Sequence, residues 1–136
     1  MKNSILQKKL ENLLGERFSS NISTIINYSR GEDIFEPVLS QAVVFPNNNE
    51  EISKIILLCN EYKVPLVPFG TGTSLEGHAV GNKNGITVSL QNMNKIIEIN
   101  SEDFDCRVQA YVTRKQLNEE LKEMGLFFPI DPGADA

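Results

Sequence analysis

"AVVFPNNNEEISKIILLCNEYKVPLVPFGTGTSLEGH" runs from Ala42 to His78, and its four parts differ in kind. Gln41 to Phe45 is short and β-branched, and Pro46 ends it, which predicts a strand. The asparagines at 47–49 offer side-chain oxygens as helix caps, and Glu50 and Glu51 suit the positive end of a helix dipole. Ile52, Ile55, Ile56 and Cys59 then form one apolar stripe, which predicts a helix from Asn49 to Tyr62. Val64 to Phe69 reads as a second strand whose prolines limit its ladder bonding. Behind it comes a run almost without side chains. Strand, helix and strand in this order imply that the first two strands pair in parallel through a right-handed crossover.

Outward from this stretch the pattern is mixed. Ile5, Leu6, Leu10, Leu13 and Leu14 fall at helical spacing and Gly15 stops the run, predicting a helix over Lys2–Leu14. "SSNISTIINYSRGEDIFEPVLS" has no clean period and reads as an extended, loop-rich connection. Further on, "GITVSL" (85–90), "KIIEIN" (95–100) and "DCRVQAYV" (105–112) alternate as strands do, in a meander-like succession. Thr113 caps a last helix, with Gln116 at the capping-box position, Leu117, Leu121 and Met124 on one face and Gly125 as its stop. The order β-α-β-loop-β-β-β-α predicts an α+β fold, a mixed sheet with flanking helices.

The chain has 136 residues, 40% of them hydrophobic and 23% charged, which suits one compact domain rather than disorder. A net charge of -5 does not suit a nucleic-acid or anionic-membrane surface, because both need clustered Lys and Arg. No apolar run reaches the roughly 18 residues of a membrane span. The charged start "MKNSILQKKLENLLGE" reads as an amphipathic helix, not a signal peptide. The expected compartment is the cytoplasm. Cys59 and Cys106 have no CxxC neighbour and no nearby His, so they are expected as two buried, reduced thiols and no metal site is expected.

The run "PLVPFGTGTSLEGH" carries the chemistry. Glycine takes positive φ and lets a ligand approach with no Cβ in the way. Successive amides can then face one concavity and hold an anion without a cationic side chain. Thr71, Thr73 and Ser74 add hydroxyls at the same place, a combination suited to a diphosphate. The spacing is neither G-x-G-x-x-G nor that of a Walker loop, which needs Gly-Lys-Ser/Thr. Composition alone also accommodates a long connection that uses Gly and Ser for turns.

At these residues the chain resembles the flavoenzymes of the vanillyl-alcohol oxidase and p-cresol methylhydroxylase superfamily. "ITVSLQNMNKIIEINSEDFDCRVQA" and "VTRKQLNEELKEMGLFFPIDPGADA" are similar to the cytochrome-linked D-lactate dehydrogenases and to the glycolate oxidase flavin subunit, and the likeness covers 28–136. The resemblance implies a PCMH-type FAD-binding domain, here its N-terminal portion, over 28–136, preceded by a helix and connection over 1–27. It implies that the FAD diphosphate lies on the loop from Phe69 to His78, with Gly70, Thr71, Gly72, Thr73, Ser74, Leu75 and Gly77 between them, and that Asp131, Pro132 and Gly133 run beside the cofactor. Relatives that bind FAD covalently carry a His where Thr73 stands, so non-covalent FAD is expected. His78, the one histidine, is expected as a loop residue near the cofactor edge, with a catalytic role as the less favoured reading.

Two departures accompany the likeness. Tyr111 stands where the family has glycine, and the chain stops where the family continues into a substrate domain. No catalytic base is expected within the chain. Asp131 and Asp135 are read as ordinary carboxylates. The expected function is the FAD-holding part of a flavin-dependent 2-hydroxy-acid dehydrogenase acting on D-lactate or glycolate, with the hydroxy acid handled only together with a missing C-terminal part. The alternative is an inactive nucleotide-binding module that self-associates through an exposed truncated face.

Overall fold

The computed structural model of the protein describes residues 2–130. Two compact units divide the chain, Met1–Asn92 and Met93–Ala136.

The first unit opens with α1 (Lys2–Leu14), a 3-10 turn over Gly15–Arg17 and the short β1 (Phe18–Ser19). Next come α2 (Ile22–Asn27), β2 (Ala42–Val44), α3 (Asn49–Tyr62), β3 (Leu66–Phe69) and β4 (Ile86–Ser89). The bounds of α1 and α3 agree with those expected from apolar spacing and caps. Asn48 accepts from the Glu51 N–H as the N-cap of α3, and Lys63 at φ 56° closes it in the left-handed region.

The segment 19–40 corrects the expectation of a plain connection. It starts in β1 and contains α2, which Asn21 caps by accepting from the Ser23 N–H. One turn and a half is too short for a periodic signal.

The sheet order is β1-β2-β4-β3. β2 and β3 therefore do not pair with each other, contrary to the expectation; both pair in parallel with β4, which lies between them, while β1 is antiparallel to β2. Nor does β4 open a meander. The physical reason is burial. Ile86, Thr87, Val88 and Ser89 are all buried, as befits the central strand of a covered sheet. β3 takes the edge, where the missing N–H of Pro68 leaves no ladder bond unmade.

The core lies on one face of this sheet. Leu6, Leu10 and Leu14 of α1 meet Ile55 and Cys59 of α3 over Ala42, Val44, Ile86 and Val88. Ile5 and Ile56, expected on the apolar faces, are half exposed instead.

The second unit holds the antiparallel pair β5 (Ile96–Asn100) and β6 (Asp105–Val108), and α4 (Arg114–Lys122). Thr113 caps α4 by accepting from the Gln116 N–H at 3.1 Å. The Gln116 side chain does not return to the cap; it donates to the Asn94 carbonyl at 2.8 Å. Leu117 and Leu121 are buried, whereas Met124 is exposed because the helix ends at Lys122. All four residues of β6 are exposed, so Cys106 is an exposed thiol and not the buried one expected.

Candidate functional site

The glycine-rich loop leaves β3 at its C-terminal end and returns to the sheet at β4. Phe69, the last residue of β3, is buried and packs edge-on against the Tyr28 ring at 5.0 Å. Tyr28 also meets Phe45 edge-on at 5.5 Å and donates its hydroxyl to Gln91 at 2.6 Å. The Phe69 side chain thus forms the floor under the loop, and its carbonyl accepts from the Leu90 N–H at 3.0 Å.

Gly72 and Gly77 take φ of 80° and 75°, a region in which L side chains are strained. A Cβ on Gly72 would stand 2.9 Å from Phe69 Cζ, and one on Gly77 would stand 2.7 Å from Phe35 Cδ2. Both positions are therefore glycine by conformation and by space. Gly70 differs. Its φ lies outside that region and a Cβ there would meet nothing within 4 Å. Local packing gives Gly70 no reason to be glycine, whereas close approach of a ligand would.

Among the described residues, the backbone amides of 70–75 donate to no other group of the chain. Six successive N–H groups without a partner among the described residues, in a loop seated on a buried floor, are the kind of donor run that can hold an anion. The hydroxyls stand with them: Thr71 Oγ1 and Thr73 Oγ1 are 3.3 Å apart, and Ser74 Oγ lies 3.2 Å from His78 Nδ1. Ser74 Oγ also accepts from the Glu76 N–H at 3.3 Å. Leu75 is exposed, at 68%. His78 is exposed as well. Asp131, Pro132 and Gly133 lie outside the described residues.

The segment before β2 contributes a second wall that sequence reasoning did not find. The Glu32 N–H donates to the Gly72 carbonyl at 2.8 Å, and Gly31 sits so close that a Cβ on it would collide with that oxygen. Asp33 is buried and organises this turn: its carboxylate accepts from the Gly31 N–H at 3.2 Å and the Phe35 N–H at 3.0 Å. The Ser29 carbonyl accepts from both Val38 and Gly81, closing the segment onto the loop's exit. Asp33, two residues after Gly31 in "RGEDIF", is a signal for an Asx-type turn, but nothing in the stretch names the loop on which that turn closes.

The far end of the loop is fixed by a buried polar knot. Ser40 Oγ and Thr87 Oγ1 are 2.7 Å apart, and Ser40 Oγ also accepts from the Asn82 N–H at 3.1 Å. The loop is thus held at both ends and along one side, while its first amides remain available.

The chain matches the model of the FAD binding domain family over residues 40–136. It is 43% identical over 109 residues to a probable mitochondrial D-lactate dehydrogenase of Danio rerio, covering 80% of this chain and 22% of that protein. It is 37% identical over 133 residues to the mitochondrial D-lactate dehydrogenase [cytochrome] of Arabidopsis thaliana, covering 96% of this chain and 24% of that one. The glycolate oxidase subunit GlcD of Bacillus subtilis is 36% identical over 96 residues, 71% of this chain and 20% of that one. The chain therefore spans a quarter or less of the length of these curated relatives. Among solved structures, p-cresol methylhydroxylase with substrate bound superposes with a TM-score of 0.81 at 25% identity, over 92% of this chain and 25% of that one. Alkyldihydroxyacetonephosphate synthase shares the fold, with a TM-score of 0.84 at 18% identity over 95% of this chain and 26% of that one. A glycine-rich loop with available amides, an α+β fold shared with p-cresol methylhydroxylase and a match over residues 40–136 agree: this chain belongs to the FAD binding domain family.

Proposed function

We propose that the loop from Phe69 to His78 seats the diphosphate of FAD, and that the chain is the FAD-holding part of a flavin-dependent 2-hydroxy-acid dehydrogenase acting on D-lactate or glycolate. The observation that carries this is the run of amides at 70–75 that, among the described residues, donate to no other group, above a floor made by Phe69. The hydroxyls of Thr71, Thr73 and Ser74 complete a neutral donor set, which matches a diphosphate without requiring Lys or Arg. The loop residues bind and orient; Gly70 leaves room for the ligand. FAD, when bound, supplies the acceptor for the hydride of the hydroxy acid. Thr73 offers no nucleophilic ring nitrogen, so the cofactor is held non-covalently.

The names of the relatives support the substrate class. This chain matches a quarter or less of those relatives, and the proposal assigns the handling of the hydroxy acid to the remaining part; the proposed location is the cytoplasm. Among the described residues no helix is long and apolar enough to cross a membrane.

The test is direct. The purified chain is expected to take up FAD, to turn yellow, and to release all flavin into the supernatant on acid precipitation. Flavin retained in the protein pellet would refute non-covalent binding, and a chain that stays colourless with excess FAD would refute the cradle. D-lactate and glycolate added to the loaded chain, with flavin absorbance followed anaerobically, test the substrate class.

A second reading is favoured by the surface of the second unit. Phe104 and Phe127 are 81% and 74% exposed there, beside an apolar groove of about 430 Å³ between the β5–β6 pair and α4. In that reading two copies of the chain cover this surface and the protein has no activity alone. Sedimentation of the wild type against Phe127→Ser separates the two readings.

A further inference from the structure

We infer that Asp33 is a positioning residue for the glycine-rich loop: by holding the turn 31–35 against Gly72 it sets the shape in which the loop's amides meet the cofactor. The inference rests on the reading of that loop as the FAD diphosphate seat.

The geometry forms a short chain of contacts. A carboxylate buried to 7% exposure is costly unless hydrogen bonds satisfy it. Asp33 meets that demand with two backbone N–H groups of its own turn, Gly31 and Phe35. Those bonds fix the direction of the intervening Glu32 N–H, which donates to the Gly72 carbonyl at 2.8 Å. Gly72 carries no Cβ, so its ψ, one of the two angles that orient the peptide bearing this carbonyl, is less restricted than at any other residue type and needs an external anchor. Turning it would carry the Thr73 N–H, which belongs to the same peptide unit, to the opposite side. Anchoring one oxygen therefore decides where one donor of the seat points. The same turn supplies Phe35, whose ring lies against Gly77, the second positive-φ position of the loop. Asp33 thus reaches both positive-φ glycines through its neighbours Glu32 and Phe35.

The mechanism is one of preorganisation: a seat already shaped loses less conformational freedom when the ligand arrives. Removing the carboxylate leaves the sheet and its core in place but lets the Gly72 peptide turn.

The test uses the whole chain in four forms: wild type, Asp33→Ala, Asp33→Asn and Gly31→Ala. Asn keeps an acceptor oxygen for the Phe35 N–H. Gly31→Ala pushes the turn off the Gly72 carbonyl without altering Asp33. Two readouts are taken. The first is FAD affinity by quenching of flavin fluorescence; the second is hydrogen exchange of the Glu32 amide without FAD. Asp33→Ala and Gly31→Ala are expected to weaken FAD binding by about tenfold or more, the scale of a misplaced preorganised site, and to speed Glu32 exchange. Asp33→Asn is expected to restore most of both. Unchanged Glu32 exchange in Asp33→Ala overturns the inference, and so does wild-type FAD affinity in both Asp33→Ala and Gly31→Ala. Should Asp33→Ala not fold, Asp33→Asn and Gly31→Ala decide the matter alone. A wild-type chain that binds no FAD would remove the diphosphate seat and the affinity half of the inference, while Glu32 exchange would still show whether Asp33 holds the turn.

Discussion

Arg17 donates from Nη2 to Glu51 Oε1 at 2.7 Å, and its Nη1 donates to both Glu51 Oε2 and the Phe45 carbonyl. Glu51 in turn accepts from the Asn47 N–H at 2.8 Å. One ion pair thereby joins the turn after α1, the end of β2 and the first turn of α3. These are the elements that lead the chain into the glycine-rich loop.

Removing either partner alone is expected to cost about 1–2 kcal/mol, the range for a partly buried, charge-assisted bond. The Arg17 guanidinium beside Glu51 is the main reason its carboxyl lies below the usual carboxylate value of 4.5, with burial opposing. The folded value is thus below the unfolded one. The contribution is fully present above pH 4.5 and is lost as pH falls through the lower, folded value. Denaturation of wild type and Glu51→Gln across pH is the check: their stability gap is expected to be constant near neutrality and to close only in acid.

Gly70→Ala and Gly72→Ala separate a ligand effect from a folding effect. A methyl at Gly70 meets nothing in the protein, so the melting temperature is expected to stay put while FAD affinity falls. Gly72→Ala forces a side chain into positive φ and against the Phe69 ring, so it is expected to lose about 1–3 kcal/mol of stability as well. Melting curves and FAD titrations of the two variants give the comparison. Undiminished affinity in Gly70→Ala would mean that no ligand approaches there.

Ser40→Ala is expected to destabilise the chain by about 1–3 kcal/mol, because the Thr87 hydroxyl and the Asn82 N–H lose a shared buried partner. Thr87→Val keeps the shape and leaves Ser40 Oγ bonded to Asn82, so the loss is expected to be smaller. The double variant should show non-additivity, measured by urea unfolding of all four forms.

Burial pushes the Cys59 thiol up to about 11, whereas Cys106 stands exposed on β6. At neutral pH a chromogenic disulfide is expected to titrate one thiol in the native chain and both in denaturant. Peptide mapping of the fast site should find Cys106, and modification of Cys59 without unfolding would contradict the described core.

By itself the sequence determined α1, α3 and α4, and it singled out the loop between β3 and β4 that is proposed here as the binding element. Each of these signals is local: apolar spacing along one helix face, a cap one turn away, or consecutive residues that lack side chains. Asn48 and Thr113 cap as read, and Gly15 and Gly125 stop their helices with positive φ. Only the tertiary structure decided that β4 lies between β2 and β3, because strand order is set by which four residues can be buried on both faces, not by succession. It also decided that the turn around Asp33 closes on Gly72. That contact runs between backbone groups forty residues apart, Glu32 N–H and Gly72 carbonyl, and backbone groups are the same in every sequence.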